Sequence, residues 1–136
     1  MVDGTAGNDT IWQPGYTVFP SGYVDAQGDR VGIGSDVIKA YAGDDLIYGG
    51  MGNDYIDGGV GNDTVTYKEY VGYGAPSTIN LVTGIAANKD GITTLVSIEN
   101  IEGSWLSDTI TGDDGDNKLY GMDGADTIFG GAGNDL

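Results

Sequence analysis

Apolar residues recur singly, at every ninth position, through long stretches of this chain. Ile11, Ile38, Ile47, Ile56, Val65, Ile110, Leu119 and Ile128 all take the eighth place of nine-residue windows that share one phase. The windows are 4–12, 31–39, 40–48, 49–57, 58–66, 103–111, 112–120, 121–129 and the incomplete 130–136. Between the apolar positions lie glycine, asparagine and aspartate, most regularly in the consecutive GGMGNDYID and GGVGNDTVT of residues 49–66. Six residues of this kind cannot continue a helix or a strand, so they predict a turn. The remaining triplet predicts a very short strand with one inward side chain. A helix is disfavoured, because each glycine in its interior costs roughly 1 kcal/mol. Turn, strand, turn, strand gives a flattened coil of 18 residues per lap, in which alternate windows stack in parallel. Its core is thin, a single ladder of Ile, Val and Leu on each side, and such units bury enough surface only by stacking.

Two inserts interrupt the pattern. Residues 13–30 carry Pro14 and Pro20 and several turn formers. Residues 67–102 open with YKEYVGYGAP, continue with strand-like STINLV (77–82), a turn at GIAANKDG, and the apolar ITTLVSIENI (92–101). Both lengths are multiples of nine, so the phase survives them, as it would across degenerate laps. Asp90 and Ile92 fall at a sixth and an eighth place, and Ile101 at an eighth. The first repeat begins at Gly4 and the last breaks off at Leu136, which suggests a piece of a larger protein.

Charge sharpens the picture. The chain has 136 residues and a formal net charge of -16, with no Cys and no His. One domain is expected. Disulfides and thiolate or imidazole metal sites are excluded, and nucleic acid is disfavoured as a partner by like charge. No run of 18 apolar residues suggests a membrane span. Of the 21 acids, 18 are Asp and 3 are Glu. Aspartate fills the sixth place in eight of nine windows, as Asp9, Asp36, Asp45, Asp54, Asp63, Asp108, Asp126 and Asp135, with Asn117 the exception. Glycine fills the fourth place in eight of nine, with Leu106 the exception. Stacking alternate windows pushes the sixth-place carboxylates together. Two such charges about 4 Å apart repel by roughly 4 kcal/mol at an effective dielectric of 20. A hard cation that takes six to eight oxygens in loose geometry, backbone carbonyls included, relieves that repulsion; calcium suits better than magnesium.

The repeated G-G-x-G-x-D-x-U-x pattern resembles the RTX, or hemolysin-type, calcium-binding nonapeptide repeat, most closely at 49–57 and 58–66, then at 121–129 and 130–136. The segment LVSIENIEGSWLSDTITG (95–112) is similar to the lead-in that precedes repeat blocks in that family. The resemblance implies an all-β fold, a parallel β-roll or right-handed β-solenoid, here in two blocks joined by an irregular strand-containing insert. Residues 1–136 would form one module, with repeats at 4–12, 31–66 and 103–136. It also implies several bound Ca2+ ions and a ligand scheme. The earlier turn of a stacked pair supplies its second- and fourth-place carbonyls and its sixth-place carboxylate; the later turn supplies its first- and third-place carbonyls and its carboxylate. One site would join Gly32, Gly34 and Asp36 to Gly49, Met51 and Asp54. A second would join Tyr41, Gly43 and Asp45 to Gly58, Val60 and Asp63. A third would join Ser104, Leu106 and Asp108 to Gly121, Asp123 and Asp126, with Leu106 distorting its turn. A fourth would join Asp113, Gly115 and Asn117 to Gly130, Ala132 and Asp135, weakened by the neutral Asn117, with Asp114 and Asp116 nearby. Asp9 has no in-phase partner two windows on, and the first insert is where one would be sought.

Other chemistries fit poorly. No loop ends in Glu at a twelfth place, which excludes an EF-hand, and VGIGSD (31–36) lacks the third glycine and the lysine of nucleotide loops. Glu69, Glu99 and Glu102 show no acid–base pairing, so the module itself is not expected to be an enzyme. Tyr67, Tyr70, Tyr73, Trp12 and Trp105 are expected to cap the thin core, although they could also form a sugar-stacking face. The resemblance implies a calcium-gated module of a protein secreted unfolded, by the type I route of Gram-negative bacteria, that stabilises neighbouring domains. The alternative is a calcium-dependent polysaccharide-binding or adhesin module.

Overall fold

The computed structural model describes residues 2–11, 35–48, 50, 52–68, 77–89 and 91–136. Each x-U-x triplet is a short strand and each glycine–aspartate run a turn, as the period requires. In chain order the strands are β1 (Val2–Asp3), β2 (Thr10–Ile11), β3 (Val37–Lys39), β4 (Leu46–Tyr48), β5 (Tyr55–Asp57), β6 (Thr64–Thr66), β7 (Thr78–Asn80), β8 (Ile85–Asn88), β9 (Gly91–Val96), β10 (Asn100–Glu102), β11 (Thr109–Thr111), β12 (Lys118–Tyr120) and β13 (Thr127–Phe129). They form an eight-stranded sheet, β1-β3-β5-β9-β8-β7-β11-β13, and a five-stranded sheet, β12-β10-β6-β4-β2. Successive strands alternate between the two sheets wherever the repeats are regular. The chain therefore coils as a parallel β-roll.

Register follows the nine-residue phase. Val37 pairs with Tyr55, Leu46 with Thr64, Asn100 with Lys118 and Thr109 with Thr127, each one lap apart. Eighth-place side chains consequently stack: Ile11, Ile47, Val65, Ile101 and Leu119 up one sheet, Ile38 and Ile56 up the other, where Leu95, out of phase, continues the stack. Their fully buried members make up the core, joined by Ile79, Ala86, Ile98 and Ile110. The ladder ends at β13, where Ile128 is 44% exposed and does not join the core.

A second ladder runs along the fifth places. Asp44 N–H donates to Asn8 Oδ1 (2.9 Å), Asn62 N–H to Asp44 Oδ1 (3.0 Å), Ile92 N–H to Asn53 Oδ1 (2.9 Å), Ala125 N–H to Ser107 Oγ (3.0 Å) and Asn134 N–H to Asp116 Oδ1 (2.8 Å). Each later lap hangs on a short polar side chain of the earlier one. The recurrent asparagine of the repeats has this structural use.

The inserts are not regular laps. β2 and β4 are direct neighbours although Asp9 and Asp45 lie 36 residues apart, so no lap separates them. Residues 12–34, with Trp12, Pro14 and Pro20, lie outside the described residues. The second insert departs further. β7, β8 and β9 are an antiparallel meander inserted in the eight-stranded sheet. Part of the expected turn GIAANKDG is β8 itself: Ile85–Asn88 pairs on both edges, with turns at 81–84 and at 89. Ile92 is 56% exposed, so its eighth-place position is a coincidence, whereas Ile101 is fully buried and belongs to a true lap. Asp90, Tyr70 and Tyr73 lie outside the described residues. Tyr67 packs against the core, and Trp105 donates its indole N–H to the Lys68 carbonyl across the insert. These two aromatics cover the junction between blocks, as expected of caps.

Ile101→Ala should lower unfolding stability by about 2–5 kcal/mol, whereas Ile92→Ala should change it by less than about 0.5 kcal/mol. Denaturant melts of the two variants in calcium check which of these residues the coil stacks on.

Candidate metal centre

Each turn places its sixth-place side chain beneath the coil edge, beside the sixth-place backbone of the preceding lap. Asp36 N–H donates to Asp54 Oδ1 (2.9 Å), Asp45 N–H to Asp63 Oδ1 (2.9 Å), Asp108 N–H to Asp126 Oδ1 (2.9 Å) and Asn117 N–H to Asp135 Oδ1 (3.0 Å). All four expected sixth-place pairs are thus brought together, three of them pairs of carboxylates. Asp9 joins them: its N–H donates to Asp45 Oδ1 (2.5 Å), so among the described residues its partner is Asp45; the first insert lies outside them.

The second oxygen of each carboxylate divides the turns into two classes. In turns 40–45, 49–54 and 58–63 the second place is left-handed, with φ 75° at Tyr41, 81° at Gly50 and 100° at Gly59, and so is the fourth, with φ 133° at Gly43, 124° at Gly52 and 154° at Gly61. Asp45, Asp54 and Asp63 are 2%, 3% and 0% exposed. Their Oδ2 atoms are buried without a hydrogen-bond partner. A buried, unpaired carboxylate oxygen is costly unless a proton or a cation meets it. Turns 121–126 and 130–135 share the backbone of this class, with Met122 at 69°, Gly124 at 127°, Gly131 at 104° and Gly133 at 107°. Asp126 is half-buried there and Asp135 exposed.

The other class satisfies itself. Thr5 N–H and Oγ1 bond Asp9 Oδ2 (2.5 and 3.0 Å), and Ser104 N–H and Oγ bond Asp108 Oδ2 (2.6 and 3.1 Å). In turn 112–117, Asp113 N–H donates to Asn117 Oδ1 (2.9 Å), while Asp113 Oδ1 accepts from Gly115 N–H (2.8 Å) and Asn117 Nδ2 (3.1 Å). A Thr, Ser or Asp at the second place folds back onto its own turn. The fourth place of this class, Gly7, Leu106 or Gly115, is not among the residues with positive φ. Leu106 therefore fits without strain, and the turn around it is a different turn, not a distorted copy.

Main-chain oxygens crowd the same gaps. A Cβ built on Gly4 would lie 2.5 Å from the Ala40 carbonyl and 2.9 Å from Asp9 Oδ2; on Gly103, 2.6 Å from Asp108 Oδ2 and 2.8 Å from the Gly121 carbonyl. On Gly121 and Gly130 it would meet Asp126 Oδ2 and Asp135 Oδ2. First-place glycine leaves room for a carboxylate oxygen and a carbonyl of the next lap to share one side. Of the expected carbonyl ligands, Tyr41 O accepts Val60 N–H (2.7 Å), Val60 O accepts Gly43 N–H (2.9 Å) and Asp113 O accepts Ala132 N–H (3.1 Å). Each carbonyl keeps a second lone pair. Asp123 is exposed at a third place. Gly32, Gly34, Gly49 and Met51 lie outside the described residues. Among the described residues no three acidic side chains converge on one point. A cation here would meet two carboxylates and a majority of neutral oxygens, a donor set that fits calcium.

Burial pushes Asp45 and Asp54 up to about 6, offset in part by the backbone N–H each accepts and reinforced by neighbouring carboxylates. Burial also raises Asp63, again offset in part by an N–H bond and reinforced by Glu99. A raised carboxylate stabilises the folded chain when protonated. In chelator, that stability should be fully present below about pH 4 and lost as pH rises through about 6. With calcium the order reverses, because protons compete for the same oxygens: affinity should fall as pH drops below about 6. Far-UV circular dichroism across pH 4–8, with and without chelator, checks both slopes.

The sequence comparisons agree with this geometry. A family model of the RTX calcium-binding nonapeptide repeat matches the chain in four copies, over residues 1–12, 31–65 and 102–136. No curated protein matches the chain. The matched segments are more than half of the chain and coincide with the laps that carry the carboxylate pairs, so the protein belongs to the RTX calcium-binding nonapeptide repeat family, and its cofactor is calcium, as several ions.

Proposed function

We propose that the chain is a calcium-gated folding module that acquires its β-roll when several Ca2+ ions enter the gaps between laps. One observation carries this reading: Asp45, Asp54 and Asp63 each bury a carboxylate oxygen that has no hydrogen-bond partner among the described residues. Without cations the stacked charges oppose the coil; with them, binding free energy becomes folding free energy. The residues that would hold calcium are the sixth-place carboxylates of each stacked pair, with first- to fourth-place carbonyls beside them. Asp45 and Asp63, with Tyr41, Gly43, Gly58 and Val60, form the best-supported site, and Asp36 with Asp54 the corresponding site on the other edge. The pairs Asp108–Asp126 and Asn117–Asp135 hold calcium more weakly. Their earlier turns already occupy the inward side-chain oxygen through Ser104 and Asp113.

The module is structural. Glu102 is spent in an ion pair with Lys68 (2.7 Å) and Glu99 lies in the carboxylate column, which leaves both out of acid–base chemistry. A switch of this kind suits a protein that crosses a calcium-poor compartment unfolded and folds outside, stabilising the larger secreted protein around it.

Circular dichroism during calcium titration tests the gating, with magnesium as control. The expected result is a cooperative gain of β-structure in calcium and little in magnesium; equal folding in chelator would overturn it. Asp63→Ala, which faces two gaps, should raise the calcium midpoint by roughly tenfold or more, about 1.4 kcal/mol per factor of ten, and Asn117→Ala by much less.

A further inference from the structure

The column of sixth-place side chains on one edge of the coil does not stop at the second insert. It runs Asp9, Asp45, Asp63, and then meets a turn that the repeat pattern does not contain. β9 ends at Val96 and β10 begins at Asn100, so only Ser97, Ile98 and Glu99 connect them, in place of the six residues 58–63 that connect β5 to β6. Val96 pairs with Asp57 and Asn100 with Thr64, which puts Ser97 over the first place of the earlier turn and Glu99 over its sixth. Ser97 is one of three non-glycine residues with positive φ, at 50°.

This short turn keeps the oxygens that matter. Asp63 N–H donates to Glu99 Oε2 at 2.8 Å, the bond that Asp45 N–H makes to Asp63 Oδ1 at 2.9 Å one lap earlier. The longer glutamate side chain reaches, from a shortened turn, the place an aspartate fills elsewhere. A Cβ on Gly58 would meet the Ser97 carbonyl and lie 2.5 Å from Asp63 Oδ2, the same juxtaposition of next-lap carbonyl and carboxylate oxygen as at Gly4 and Gly103. Asp63 Oδ2 is the unpartnered oxygen of a fully buried side chain, and it is aimed at this gap.

We propose that Asp63, the Ser97 carbonyl and Glu99 form a further calcium site outside the nonapeptide repeats, which ties the first repeat block to the meander. The proposal rests on the calcium reading above and adds to it a site at a place where no repeat is recognisable. On the opposite edge, among the described residues, Asp54 is followed by Thr93, and Ser77 precedes Asp108, because the meander separates the laps. Calcium at Asp63 and Glu99 would thus fasten this edge of the coil through the insert.

Equilibrium dialysis of the full chain with calcium, wild type against Glu99→Gln, tests the site. Glutamine keeps an oxygen for Asp63 N–H and replaces the second, charged oxygen with a neutral amide nitrogen that cannot bind calcium. The expected result is one calcium ion fewer in Glu99→Gln, with an unchanged circular dichroism spectrum at saturating calcium. Equal numbers bound by the two proteins overturn this site alone; a wild type that binds no calcium overturns the calcium reading with it. If Glu99→Gln does not fold, the wild type decides by anomalous diffraction from crystals grown in calcium. A peak about 2.3–2.6 Å from a Glu99 carboxylate oxygen supports the site, and none there overturns it.

Discussion

Strand pairing fixes the spacing of the laps, and the lap spacing fixes the distance between buried carboxylates. Neighbouring strands lie about 4.8 Å apart. Unit charges at that distance oppose one another by roughly 3–4 kcal/mol at an effective dielectric of 20. Asp9, Asp45 and Asp63 stand in one such column, each with an oxygen on the next residue's backbone or in the gap between laps. The aliphatic ladder that opposes this repulsion is one residue wide per sheet. A coil with so thin a core depends on what neutralises its edge.

The chain answers in two ways, and the second place of each turn decides which. Left-handed Tyr41, Gly50 and Gly59 leave the carboxylate oxygen bare. Thr5, Ser104 and Asp113 supply an N–H from the turn itself. The self-satisfied turns begin the first described lap and the lap pair after the insert, where a neighbouring regular lap is lacking on one side. The turns that need a cation lie between laps. Turns 121–126 and 130–135, at the far end of the chain, return to the left-handed backbone, with Asp126 half-buried and Asp135 exposed.

Much of this was legible in the sequence. A single phase located the repeat strands, their parallel register and four sixth-place pairs, because one aliphatic residue per nine leaves the coil no other way to bury it. Three things were hidden. Ile85–Asn88 is flanked by Gly84, Asp90 and Gly91, so turn chemistry masked a strand whose evidence is only two pairing edges. The 36-residue step from Asp9 to Asp45 needed the pairing itself, since the intervening length also suits a regular lap. Glu99 was missed because residues 94–99, TLVSIE, carry none of the repeat's glycines, although Glu99 holds the sixth place of its window, two before the buried Ile101. The fifth-place asparagines recur in the sequence, yet the bonds that Asn8 and Asn53 accept from the next lap's N–H appear only once the laps are stacked.

The most direct measurement is anomalous diffraction from a crystal grown in calcium. Peaks about 2.3–2.6 Å from Asp45 Oδ2 and Asp63 Oδ2 are expected, with the β-roll otherwise as described. Well-ordered gaps that hold only water, or carboxylates turned out to solvent with the coil intact, would contradict the dependence of this fold on cations.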